Sequence, residues 1–250
     1  DDTYWITTLH HGLVRYNSKS GHTDRFTVRD GLSSNNLRCI VKDRAGDLWV
    51  GTNEHGAMRV RLSDFGESKK ILDFDDSDGN TMEIRMSFTD SDNRGWFGAH
   101  DSNSNIYIYE NGQTKVLTLP NGYAYCGLEL PDGDKLIGTK NRGIFRVDKE
   151  GSRVIENISG PKDTRLANDI YGMVLDDKRR LWTATHGAGV QLYLLKGDSY
   201  GYVGTFKFNS DDLDHLRSIV KDRNGKLWLA SNNGIISFHP DSLIADPRSF

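Results

Sequence analysis

Asp43-Arg44-Ala45-Gly46-Asp47-Leu48-Trp49-Val50-Gly51-Thr52 and, far downstream, Asp222-Arg223-Asn224-Gly225-Lys226-Leu227-Trp228-Leu229-Ala230-Ser231 are two spellings of one phrase. Each follows an alternating apolar run, Leu37–Val41 or Leu216–Val220, and each passes through Asp-x-x-Gly into a segment anchored on tryptophan. Two period-2 runs joined by a turn whose glycine is free to take positive φ form a β-hairpin. All five tryptophans, Trp5, Trp49, Trp96, Trp182 and Trp228, fall on one lattice, with gaps of 44, 47, 86 and 46 residues. Lys135-Leu136-Ile137-Gly138-Thr139 copies Leu48–Thr52 with Leu136 in the tryptophan slot and splits the gap of 86 into 40 and 46. Self-similarity at this period is the signature of propeller blades.

Outward from each anchor the pattern continues. About seven residues on, a glycine opens a third strand, as in Gly12–Tyr16, Gly56–Val60, Gly143–Val147 and Gly189–Tyr193. A fourth follows at Asp24–Thr27, Lys69–Leu72, Lys115–Thr118, Arg153–Glu156 and Val203–Phe206. Four short antiparallel strands make one blade. The expected fold is therefore an all-β propeller of six visible blades, at about 1–30, 31–78, 79–120, 121–160, 161–210 and 211–238, with 239–250 as an exit linker. Tyr4 has no inner strand before it, so the first sheet should lack one.

Two positions after the anchor stand Gly51, Gly98, Gly138, Ala184 and Ala230, on the same face of the strand as the anchor. Small residues there would let neighbouring sheets approach while the indole fills the gap, a packing role rather than a sugar-stacking one. Cys39 and Cys126 each lie ten residues before an anchor, two blades apart, too far for a bridge; two free, buried thiols are expected.

Composition narrows the function. A chain of 250 residues with 36% hydrophobic content, mean hydropathy -0.60 and only strand-sized apolar runs has no membrane-spanning helix in its pattern. A net charge of -3 with both signs interspersed gives no basic stripe, so no nucleic-acid contact is expected. Two cysteines without paired spacing suggest no zinc cluster. G-x-S-x-G, Walker, HExxH and histidine-kinase motifs are absent. Asp73–Gly79 lacks the calcium-loop register, and Asp90–Gly95 has it but places Arg94 at a ligand position. No cofactor and no metal are expected. Asp1–Trp5 begins abruptly inside a strand-like pattern and reads as a segment of a longer chain.

Gly31-Leu32-Ser33-Ser34-Asn35-Asn36, leading through Ile40-Val41-Lys42-Asp43 to Leu48–Thr52, and its echo Ile219–Trp228 resemble the two-component-regulator propeller repeat, over essentially Tyr4 to Leu243. The resemblance implies the periplasmic sensor region of a hybrid histidine kinase/response regulator, in which two seven-bladed propellers precede a β-sandwich, a membrane helix and a kinase. It implies oligosaccharides as the signal, with the adjacent propeller and sandwich as partners. The tail Ile236–Leu243 resembles the junction to the sandwich. Six anchors where the family has seven imply an open or strained ring, with either a homodimer through its apolar flanks or poor solubility relative to a longer parent.

In an antiparallel blade the second-to-third and fourth-to-first connections emerge at one end. His10, His55, His100, Arg142 and His186 occupy second-to-third loops and are the candidate ligand-binding residues; His11, Lys140, Asn141, Asn232 and Asn233 accompany them. Donors of varied identity suit polyhydroxylated or anionic sugars, although short turns beside glycine are commonly polar. Two other classes compete with a sensor: a lyase resembling the streptogramin lyases, with a face histidine as base, and a scaffold that binds only protein.

Overall fold

A computed structural model describes residues 2–61, 69–72, 82–100, 103–158, 160, 165–208 and 211–247. The protein is all-β, with six antiparallel sheets of three or four strands, as in propeller blades. The first sheet is β1 (Thr3–Thr7), β2 (Leu13–Asn17) and β3 (Thr23–Phe26). The second is β4 (Leu37–Lys42), β5 (Leu48–Thr52), β6 (Ala57–Val60) and β7 (Lys69–Leu72); the third is β8 (Ile84–Thr89), β9 (Gly95–Ala99), β10 (Asn105–Glu110) and β11 (Gln113–Thr118). The fourth is β12 (Tyr123–Glu129), β13 (Lys135–Lys140), β14 (Ile144–Val147) and β15 (Val154–Ile158). The fifth is β16 (Ile170–Leu175), β17 (Leu181–Thr185), β18 (Val190–Lys196) and β19 (Ser199–Phe206), and the sixth is β20 (Leu216–Lys221), β21 (Leu227–Ser231) and β22 (Gly234–Phe238). Each sheet pairs only sequence neighbours. The chain divides into two compact units, 1–124 and 125–250.

The Asp-x-x-Gly phrase forms the β4–β5 and β20–β21 turns, with Gly46 at φ 91° and Gly225 at φ 77°, a region costly for residues bearing a Cβ. The same aspartate does more than turn the chain. The indole N–H of the anchor six residues on donates to its carboxylate: Trp49 to Asp43 at 2.9 Å, Trp96 to Asp90 at 2.8 Å, Trp182 to Asp176 at 2.9 Å and Trp228 to Asp222 at 2.8 Å. Burial alone would raise the Asp90 pKa, but the Trp96 indole and the Arg94 backbone and guanidinium outweigh it and hold it below the ordinary carboxylate value. Asp222 is likewise held low, chiefly by the Trp228 indole. Where Leu136 replaces tryptophan, the aspartate position is Leu130, so donor and acceptor are lost together and neither is orphaned. That fourth sheet carries its polar chemistry elsewhere: fully buried Lys135 pairs with Glu129 at 3.2 Å, and Arg146 pairs with Asp132 and Asp134, both at 2.8 Å.

The anchor strands β5, β9 and β17 are buried along their whole length, because both faces of the sheet are covered. In the first unit Trp49 lies against Phe97 of the next sheet at 5.6 Å and edge-on to Tyr109 at 5.3 Å. In the second, Trp182 lies 5.6 Å from Phe238 and joins Leu227 and Leu229 in one core cluster. The terminal sheets differ: β1 alternates between half-buried and exposed residues, and Trp228 is 39% exposed.

The small residue after the anchor works as expected. A Cβ on Gly51 would meet Ile84 Cγ2 of the next sheet at 2.7 Å, and one on Gly138 would meet Ile170 Cγ2 at 2.7 Å. Each would also run into the cysteine opposite in the ladder, Cys39 or Cys126. Both cysteines are free. The thiols are buried, as expected: each residue is partly exposed as a whole, while Sγ turns inward, 3.6 Å from Ile84 O for Cys39 and 3.7 Å from Ile170 O for Cys126. Burial pushes the Cys39 thiol up to about 11 and the Cys126 thiol up to about 12. Since the thiolate is the nucleophile, iodoacetamide at pH 8 should leave both unlabelled in the native protein and label both in urea. Stoichiometric labelling of the native protein would show that these sulfurs are open.

The tail is not a bare linker at its start. Pro240–Ala245 forms a helical turn, and Leu243 is buried in the cluster around Trp182 and Phe238. Asp73–Gly79 lies outside the described residues. At Asp90–Gly95, Arg94 pairs with Asp90 at 2.7 Å and fills the place a cation would need. Among the described residues no helix is long and apolar enough to cross a membrane.

Candidate functional site

Four inner strands carry the same irregularity at the same place. The ladder between β4 and β5 skips Arg38, that between β8 and β9 skips Arg85, that between β16 and β17 skips Tyr171, and that between β20 and β21 skips Arg217. Each is a β-bulge, whose extra residue has no ladder partner and can be aimed independently of the sheet. All four lie eleven residues before their anchors; Tyr125 holds that position in the fourth repeat. Around this position two others converge. Thirteen before the anchor stand Asn36, Glu83, Tyr123, Asp169 and His215, and four after it stand Asn53, His100, Lys140, His186 and Asn232.

The second-to-third loops are built alike. The hydroxyl three after the anchor donates to the carbonyl of the glycine that ends the loop: Thr52 to Gly56 and Thr139 to Gly143 at 2.8 Å, Thr185 to Gly189 at 2.7 Å. This bond tightens the loop so that the residue after the hydroxyl stands beside the bulge.

In the first unit the three positions form a charged cluster. Arg38 donates to Asn53 at 2.7 Å and pairs with Glu83 at 2.8 Å; Arg85 pairs with Glu83 at 2.7 Å. His100 Nδ1 lies 3.5 Å from the other Glu83 oxygen, and its ring is 4.2 Å from that of Tyr123. One carboxylate thus serves two guanidiniums and lies beside an imidazole.

In the second unit the cluster is aromatic and basic. Tyr125 and Tyr171 lie 4.6 Å apart, His186 stacks on Tyr171 at 5.0 Å and 21°, and His215 meets His186 at 4.7 Å. Arg217 lies over Tyr171 at 5.5 Å and donates to Asn232 at 2.9 Å. Burial, then the charges of Arg217 and His215, lower the His186 pKa below the ordinary histidine value, with Asp169 opposing them.

The loop candidates therefore separate. His100 and His186 fall within these clusters. His10, exposed, bonds Asn36 at 3.0 Å at the margin of the first. His55 and Arg142 are exposed at loop tips, two residues beyond the clustered position. Sequence reasoning passed over Arg38, Arg85, Tyr125, Tyr171 and Arg217; their constant spacing to the anchor was the available signal. The clusters offer guanidinium, imidazole, amide and phenol groups, suited to holding hydroxyl or anionic groups. Among the described residues no group of histidine, cysteine and carboxylate is arranged to hold a metal.

The sequence signature described as two component regulator propeller matches residues 31–54. Over 96% of this chain, the sequence is 24% identical to "Histidine kinase P4" of Formosa agariphila, of which it spans 18%. Among solved structures, the extracellular domain of the hybrid two-component system BT4673 from B. thetaiotaomicron matches 96% of this chain and 39% of its own at 17% identity, with a TM-score of 0.56. An inactive H270A virginiamycin B lyase from Staphylococcus aureus matches 95% of this chain and 87% of its own at 15% identity, with a TM-score of 0.69. The chain thus spans less than a fifth of the curated relative and well under half of the sensor domain. It is a propeller-like domain resembling the extracellular sensor domains of two-component systems.

Proposed function

We propose that this chain is a non-catalytic, extracytoplasmic sensing propeller of a hybrid two-component histidine kinase/response regulator, and that the bulge-centred clusters take up an oligosaccharide. The observation that carries the reading is the recurrence of arginine or tyrosine at the bulge, flanked by histidine, asparagine or lysine at one fixed loop position. The core does not require such side chains there. The resemblance to extracellular sensor domains supports the context, a periplasmic location ahead of a membrane anchor, with an adjacent propeller and β-sandwich, or a second copy, as partners. Signalling would follow from differential affinity: a ligand shifts a conformational equilibrium by no more than its preference for one state, about 1.4 kcal/mol per tenfold.

Calorimetry of the chain against oligosaccharides from digested polysaccharides should show stoichiometric binding without turnover. His100→Ala or Tyr171→Ala should weaken it at least tenfold, while His55→Ala and Arg142→Ala at the loop tips leave it within twofold. Turnover of the sugar, or unchanged binding in the His100→Ala/Tyr171→Ala double variant, would overturn the reading. The lyase alternative predicts turnover of its own substrate at catalytic concentration, and a protein-only scaffold predicts no sugar binding at all.

A further inference from the structure

Positive charge gathers in the second unit around one ring. His186, which follows β17, has Tyr171 of β16 on one side and His215, just before β20, on the other. Arg217 of β20 covers Tyr171. Lys140, at the end of β13, is close enough to oppose protonation of His186, as Arg217 and His215 do. The acid facing this group is Asp169, and its carboxylate is already engaged: it accepts the Asn141 backbone N–H at 2.6 Å. Among the described residues, Lys140, Arg217 and the two imidazoles thus lie near one carboxylate, one of whose oxygens the Asn141 N–H already occupies.

A second observation concerns His215. Its Nδ1 is enclosed and has no hydrogen-bond partner. We propose that Lys140, His186, His215 and Arg217 form a site for an anionic group, the carboxylate or sulfate ester of an acidic saccharide, with the Tyr125–Tyr171 pair as the apolar wall against the sugar ring. The saccharide part of this assignment rests on the sensor reading; the anion part rests on the charges alone.

The arrangement makes the site pH-sensitive, with a definite sign. An anion favours the protonated form of His186 and raises its pKa, so affinity increases as pH falls through the titration range of the bound ring.

The test uses the whole chain and four probes: glucuronate, glucose 6-sulfate, inorganic sulfate and glucose. Imidazole resonances of His186 and His215 are followed by NMR at pH 6.0 and 7.5. Glucuronate or glucose 6-sulfate should shift both rings, bind at least threefold more tightly at pH 6.0, and lose at least tenfold in affinity with Arg217→Gln. Arg217 is exposed, so this variant should fold; Lys140→Gln provides an independent second variant. Glucose should leave the rings unmoved. The proposal fails if no probe binds, if glucose matches the acidic sugars, or if both variants bind them unchanged. Glucose or neutral oligosaccharides binding as well as acidic ones would leave the sensor reading standing and remove the anion assignment. Sulfate binding to which sugars add nothing would keep the anion site and remove the saccharide.

Discussion

Trp182→Ala should lower the unfolding free energy by about 3–5 kcal/mol, the cost of emptying a large aromatic site in a packed core. The indole is fully buried and is enclosed by Leu227, Leu229 and Phe238 of the following sheet, so the cavity has little freedom to collapse. The variant also strips one donor from Asp176, whose carboxylate keeps Arg180 at 2.5 Å but loses the indole N–H. That second loss places the effect toward the upper end of the range. Trp228→Ala is the control. It deletes the same side chain from the same repeat position and the same aspartate contact, but Trp228 is 39% exposed, and its loss should cost less than half as much. Urea unfolding followed by circular dichroism would measure both. Equal destabilisation would mean that the indole acts within its own sheet and that packing between sheets contributes little.

Gly138→Ala should cost about 1–3 kcal/mol, a large effect for one methyl group, because the new Cβ meets both Cys126 and Ile170. Most of the loss should return in the Cys126→Gly/Gly138→Ala double variant. The reason lies two sheets' worth of ladder apart: Gly172 faces Ala184 and Ser218 faces Ala230, so the fifth and sixth repeats already hold the methyl on the anchor strand and the small residue on the inner one. Volume is kept while its position is exchanged. A double-mutant cycle measures the compensation directly, and additive losses would show that Ile170, rather than Cys126, sets the limit.

Much of this architecture is legible in the chain because it is local and repeated. Trp49, Gly46 and Gly56 sit at fixed offsets, and hairpins need nothing from distant sequence. The same holds for Lys69–Leu72 and Val203–Phe206, where position in the repeat marks a fourth strand. What escaped reading was the second use of familiar residues. Asp43 looks like a turn residue and is one, but its carboxylate also holds the Trp49 indole, a contact made only once the hairpin is closed. Arg38 and Tyr171 are hidden within apolar runs, because a bulge changes which way a residue faces without changing the residue types around it. Histidines at loop tips drew notice by their chemistry alone; His55 and Arg142 lie where a short polar turn has to be polar, and His100 and His186 lie where a neighbouring bulge gives them company.

The repeated bulge separates two kinds of inheritance. Because Arg38, Arg85, Tyr171 and Arg217 have no Cα partner across the ladder they interrupt, exchanging one side chain for another leaves the register of the hairpin intact. Strand pairing and anchor packing can then stay fixed while the bulge residues drift, repeat by repeat, each blade offering one independently replaceable letter. Specificity in such a domain would evolve by respelling those letters, at almost no expense to the scaffold that displays them.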